Sequence, residues 1–110
     1  MKRLRRRYLA LRVHGGGPCS LESLRDRLET EFIELFGLWG FSQAGIRVLE
    51  FDDSRREVVV ACWHRWLPMV RACATMIADL RESPVIVQVM GVSGTIRRLR
   101  RKFLSPMRPS

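Results

Sequence analysis

The residues best suited to chemistry lie in Gly91-Val92-Ser93-Gly94-Thr95-Ile96-Arg97-Arg98-Leu99-Arg100-Arg101-Lys102, where a Ser-Gly-Thr turn precedes five cations in six residues. The chemistry they suit is anion binding. Backbone N–H groups at a helix start point at an anion. Small Gly94 lets the backbone approach a ligand closely. Arginine offers a planar fork that matches two phosphate oxygens. Thr95 or Ser93 caps the helix by accepting a bond from a first-turn N–H. Ile96, Leu99 and Phe103 fall at i, i+3 and i+7, one apolar stripe that docks the helix. A second all-basic run opens the chain: Lys2, Arg3, Arg5, Arg6 and Arg7, with Arg12 beyond.

Other reactive residues form no catalytic set. His14 and His64 lack a partner pattern for metal binding or proton transfer, so no catalytic or metal-ligating residues are expected. Gly15-Gly16-Gly17 could wrap a phosphate, but without the Lys-Ser/Thr of a P-loop it reads as a connector. Asp52-Asp53 could hold a hard cation or serve a turn. Trp63-His64-Arg65-Trp66 has aromatics beside Arg, which suits stacking on RNA. Equally, one Trp is buried and the other covers a strand end.

The 110 residues carry a net charge of +9. Residues 1–12 hold six basic side chains and no acids, and residues 97–110 hold six more, again without acids. The stretch between has all 11 acids against eight bases. A slightly acidic body with two basic ends points to a polyanionic partner, nucleic acid before membrane. The cations are nearly all Arg, with Lys2 and Lys102 the exceptions. Cys19, Cys62 and Cys73 are odd in number and lack Cys-x-x-Cys spacing, which reads as reduced thiols in a cytoplasmic protein. No run approaches the roughly 20 apolar residues of a membrane span.

These residues need elements to place them. Arg7 to His14 alternates, with Leu9, Leu11 and Val13 on one side and Tyr8, Ala10, Arg12 and His14 on the other, as in a half-buried strand. Ser20 caps an amphipathic helix of about four turns, with Leu24, Leu28 and Phe32 on its apolar face and Gly37 as its stop. Leu38 to Phe41 then forms an apolar loop. Two strands follow, Ile46 to Phe51 and Glu57 to His64, joined by a turn at Asp52 to Arg56. Pro68 opens a second helix, Met69 to Leu80, apolar almost all round. The last strand, Val85 to Met90, leads into the basic helix.

The expected fold is therefore α+β: a ferredoxin-like, RRM-like β-α-β-β-α-β sandwich plus a C-terminal basic helix. Right-handed crossovers give a four-stranded antiparallel sheet of order 4-1-3-2. The whole chain forms a single RNA-binding domain, with an ordered core over 6–104, a basic arm over 1–6 and a short tail over 105–110. Strand four lies antiparallel beside strand one, so the two basic runs meet in one patch. Strand three reads Val58-Val59-Val60-Ala61-Cys62, without the aromatics an RNA-recognition motif uses for stacking. Phosphate contact at the sheet edge fits better than base readout.

Arg6-Arg7-Tyr8-Leu9-Ala10, Leu35-Phe36-Gly37 and above all Gly91-Val92-Ser93-Gly94-Thr95-Ile96 with its basic run resemble the archaeal ribonuclease P protein component 2 family, related to a subunit of the eukaryotic ribonucleases P and MRP. The resemblance spans roughly residues 6–104. It implies a non-catalytic subunit that stabilises the RNA which removes 5′ leaders from precursor tRNA. The Mg2+ would sit on that RNA, and the protein would hold no cofactor. It also implies pairing with ribonuclease P protein component 3, and contact with precursor tRNA only indirectly. The expected RNA-binding residues are Lys2, Arg3, Arg5, Arg6, Arg7, Arg12, Ser93, Gly94, Thr95, Arg97, Arg98, Arg100, Arg101 and Lys102. The expected protein contacts, read from exposed apolar character, are Leu38, Trp39, Phe41, Met69, Ala72, Cys73 and Met76, with self-association through the second helix as a variant. A small ligand-sensing regulatory domain on the same fold is the alternative, using the Gly15 to Gly17 loop. An independent nuclease using Ser93 or His64 is the third reading.

Overall fold

The computed structural model describes residues 5–104. The elements run β1 (Arg6–His14), α1 (Leu21–Ala44), β2 (Arg47–Asp52), β3 (Glu57–Trp63), a 3-10 turn (His64–Trp66), α2 (Leu67–Met76), β4 (Asp79–Leu80), β5 (Ser83–Pro84), β6 (Ile86–Ser93) and α3 (Ile96–Phe103). The main sheet has the order β2-β3-β1-β6, all antiparallel, which is the expected 4-1-3-2 arrangement with β6 as its fourth strand.

Period-two alternation sends Leu9, Leu11, Val13, Val58, Val60 and Cys62 to one face, where they meet Leu24, Leu28 and Phe32 of α1 and Val70, Cys73 and Ala74 of α2. Phe32 is fully buried, with ring centroids 4.9 Å from Phe36, 6.1 Å from Trp66 and 6.4 Å from Phe41. Burying one such side chain is worth about 1.5–3 kcal/mol. The other face is covered too, which the alternation did not foretell. Ala10 and Val59 lie beneath Leu99 of α3, and all three are buried. The central strands are thus closed on both sides at α3.

Four boundaries differ from the sequence-based expectation. Gly37 (φ 81°, ψ 166°) kinks α1 but does not end it; the helix resumes through Ala44 and stops at Gly45 in the left-handed region. Leu38 to Phe41 is therefore helical, and the kink lets Phe41 fold back toward Phe32. The second helix stops at Met76, because Ile77 is already extended and Asp79–Leu80 pairs with Ser83–Pro84. Arg81 and Glu82, at φ 49° and 68°, supply the two left-handed residues that a two-residue hairpin turn demands. The strand beginning at Glu57 ends at Trp63, and His64 opens the 3-10 turn. The last strand runs on through Gly91 to Ser93, because Gly91 pairs with Ala10 and Ser93 with Tyr8.

Local signals elsewhere act as written. The Ser20 hydroxyl accepts from the Ser23 N–H at 3.1 Å, and the Ser23 hydroxyl accepts from the Ser20 N–H at 3.0 Å, a reciprocal cap. Asp52 serves its turn: Oδ1 accepts from the Ser54 hydroxyl (2.8 Å) and from the N–H groups of Ser54 (3.0 Å) and Arg55 (3.2 Å). The Ser54 hydroxyl is the main cause that lowers the Asp52 carboxyl below its ordinary value.

Candidate nucleic-acid interface

Register builds the site. Tyr8 pairs with Ser93, so the chain preceding Tyr8 and the chain following Ser93 leave the sheet at the same end. Arg7 Nη1 lies 3.5 Å from the point where a Cβ on Gly94 would stand. The same guanidinium donates to the Arg6 carbonyl at 3.0 Å, which holds it along the sheet end. Two basic runs some ninety residues apart in sequence do become neighbours. Lys2 and Arg3 lie outside the described residues.

The Ser-Gly-Thr turn divides its work. Thr95 is the helix cap, its hydroxyl accepting from the Arg98 N–H at 3.2 Å. Ser93 is buried at 7% exposure, and its hydroxyl accepts from the Thr95 N–H at 3.3 Å. Ser93 thus shapes the turn, and little of it is open to a ligand. Gly94 is exposed. Arg97, Arg98, Arg101 and Lys102 are exposed on α3, with no carboxylate in ion-pair reach among the described residues.

Three expected contact residues are partly committed inside the fold. Arg12 forms an ion pair with buried Glu57, toward the far end of β1 from Arg7, so it stands apart from the patch. There it offsets the charge of buried Glu57 while remaining partly exposed. Arg100 pairs with Glu50 of β2, although both remain substantially exposed. Arg6 stacks its guanidinium over the Trp63 ring at 4.2 Å and donates to the Gly45 carbonyl at 3.3 Å. These partners could not be read from the sequence, since each depends on strand register.

The expected protein-contact residues separate in the same way. Leu38 and Trp39 are 69% and 71% exposed, and Met76 is 56% exposed. Ala72 is exposed, whereas Phe41 and Met69 are half-buried against the core. Cys73 is fully buried, its thiol donating to the Leu28 carbonyl at 3.7 Å, so it belongs to the core and to no free surface. Burial pushes the Cys73 thiol up to about 12 and the Cys62 thiol up to about 11. The outward side of α2 includes Arg71 and Thr75 beside Ala72 and Met76, more polar than its composition suggested.

Among the described residues, no group of three or more His, Cys, Asp or Glu side chains is placed to hold a metal ion. His14 and His64 stand at opposite ends of the sheet; His14 Nε2 lies 2.7 Å from the Gln88 side-chain oxygen. No helix among them is long and apolar enough to cross a membrane.

The fold is similar to that of a chain in the cryo-EM structure of yeast ribonuclease MRP, with a TM-score of 0.69 and 12% identity, covering 86% of this chain and 78% of that one. In sequence, the chain is 34% identical over 102 residues to ribonuclease P protein component 2 of Archaeoglobus fulgidus, covering 93% of this chain and 91% of the relative. It is 28% identical over 101 residues to the protein of the same name from Pyrococcus furiosus, covering 92% and 84%. The family model described as Rpp14/Pop5 matches residues 7–104, which take in all three helices and all of the sheet but Arg6, and the chain belongs to the Rpp14/Pop5 family.

Proposed function

We propose that this chain is a non-catalytic protein subunit of ribonuclease P that works in the cytoplasm and binds the catalytic RNA through one end of its sheet. The observation that carries the reading is the β1–β6 pairing, which sets Arg7 beside Gly94 and joins the first basic run to α3. Arg5, Arg7, Arg97, Arg98, Arg101 and Lys102 supply the charge, and Gly94 the close approach. Such a surface reads backbone and shape. It does not read bases from the sheet face, because α3 lies there. The RNA would hold the Mg2+ and perform the cleavage that removes 5′ leaders from precursor tRNA. The relatives named ribonuclease P protein component 2 support this assignment. The exposed residues Leu38, Trp39, Ala72 and Met76 would meet ribonuclease P protein component 3. Family membership gives the ligand-sensing alternative no support.

The test is the salt dependence of binding to ribonuclease P RNA. Removing one phosphate contact lowers the log–log slope by about 0.7–0.9. Arg97→Ala with Arg101→Ala should therefore flatten it by roughly 1.4–1.8. An unchanged slope would remove α3 from the interface. Gentle pull-down of the tagged protein, with sequencing of the bound RNA, should enrich one structured RNA together with precursor-tRNA cleaving activity. Mixed ribosomal RNA in its place would remove the ribonuclease P assignment.

A further inference from the structure

We infer that the turn after β3, His64 and Arg65, is a second phosphate-contacting element, so the RNA-facing surface is a strip across three strand ends. This deepens the RNA-binding reading and rests on it. The His64 N–H donates to the Arg5 carbonyl at 2.6 Å, which carries the β1–β3 pairing one step past Arg6 and Trp63. That bond fixes the turn against the basic arm. Arg5, His64 and Arg65 are all exposed, and no carboxylate among the described residues is within ion-pair reach of Arg5 or Arg65.

Strands in a sheet lie about 4.7–4.9 Å apart, so the ends of β3, β1 and β6 occupy three lanes spanning roughly 10 Å. Arg65 closes the β3 lane, Arg5 and Arg7 open the β1 lane, and Gly94 with Arg97 and Arg98 closes the β6 lane. The three lanes present cations toward one end of the sheet, as a single RNA backbone crossing the strands would require. Trp63 has a different task. Its ring is covered by the Arg6 guanidinium at 4.2 Å, and its indole closes on Gly45, where any Cβ would stand 2.4 Å from the indole nitrogen. The aromatic therefore pins the corner, and Arg65 meets the ligand through charge alone.

The experiment compares full-length variants by fluorescence anisotropy on labelled ribonuclease P RNA across a salt titration. Arg65→Gln should flatten the slope by about 0.7–0.9, adding to the change produced by Arg97→Ala with Arg101→Ala. Arg65→Lys should keep the slope, since a point charge displaces the same counterion. Arg81→Gln, in the exposed hairpin turn at the opposite end of the sheet, controls for net charge. The inference is overturned if Arg65→Gln matches wild type, or flattens the slope no more than Arg81→Gln, while the Arg97 and Arg101 variant shows its expected change. Failure of wild type to bind this RNA would instead overturn the RNA-binding reading, and the strip with it.

Discussion

Gly91 decides whether α3 can dock, and Gly91→Ala should expose that dependence. A Cβ at this position would stand 2.4 Å from Cδ1 and Cε1 of Phe103 and 2.5 Å from its Cγ. Ordinary carbon contacts need about 3.5–4.0 Å, so the ring must retreat by about an ångström or more. Overpacking of this kind costs about 1–3 kcal/mol. Alanine also reduces the freedom of the unfolded chain, worth about 0.4–1 kcal/mol in the opposite direction. The net destabilisation is then between about 0 and 2.6 kcal/mol, centred on about 1.3 and concentrated on α3. An eight-residue helix has no stability of its own in water, so a displaced Phe103 releases the helix and leaves the two-helix face of the sheet intact. Stability in urea melts should fall by that amount, and amide exchange over residues 96–103 should accelerate far more than exchange in β3. Phe103→Ala makes room for the methyl, so the cost of Gly91→Ala should shrink in that background, a coupling of about 0.5–3 kcal/mol. Wild-type stability of Gly91→Ala with unchanged α3 exchange, or strictly additive costs in the double variant, would refute the reasoning.

Ser20→Ala removes one half of the reciprocal cap and should cost about 1 kcal/mol, read as a lower urea midpoint at unchanged slope. The thiols should label in sequence. Half-buried Cys19 should react with a thiol reagent at mildly alkaline pH long before Cys62 and Cys73, which lie buried in the core; all three should react equally in urea. Folding raises the Cys62 and Cys73 values above the unfolded 9.0, so their contribution to stability is complete below that pH. It declines as pH rises toward about 11 and 12, where the unfolded chain has already given up these protons. Thermal midpoints should therefore fall between pH 9.0 and about 11 more steeply in wild type than in Cys62→Ala with Cys73→Ala.

Period and caps are local, and what depends on them is legible in the sequence. The strand at Leu9 to Val13, the helix opened by Ser20, the cap at Thr95 and the order of elements follow from spacing and single residues. The topology then brings Arg7 to Gly94 without any side-chain knowledge. What escapes depends on partners far along the chain. Gly37 carries the usual stop signal, but Phe41 gains a place against Phe32 if the helix resumes, and that contact outweighs the local cue. Gly91 lies just past the expected strand, which stops at Met90; its pairing with Ala10 makes it strand, and the Phe103 ring is what requires glycine there. Ala10 alternates as an outward residue because nothing in its own strand reveals that α3 will cover it. Composition assigns Cys73 to an interface, whereas its place on the helix turns it toward Leu28. Arg12 and Arg100 read as free cations until register supplies Glu57 and Glu50.

The central position of β1 also sets the order in which the molecule is able to assemble during synthesis. Its partners are β3 and β6, and β6 is complete only at Ser93, about eighty residues after β1 leaves the ribosome. At about 5–20 residues per second that delay is on the order of 4–16 s. Through most of it Leu9, Leu11 and Val13 have no complete core to enter, and one edge of β1 has no neighbour. β3, finished at Trp63, is available to β1 well before β6, so the four-stranded sheet is complete only when the last strand inserts beside the first. The basic corner proposed to face RNA comes into existence at that same moment, because Arg7 and Gly94 are made at opposite ends of the wait.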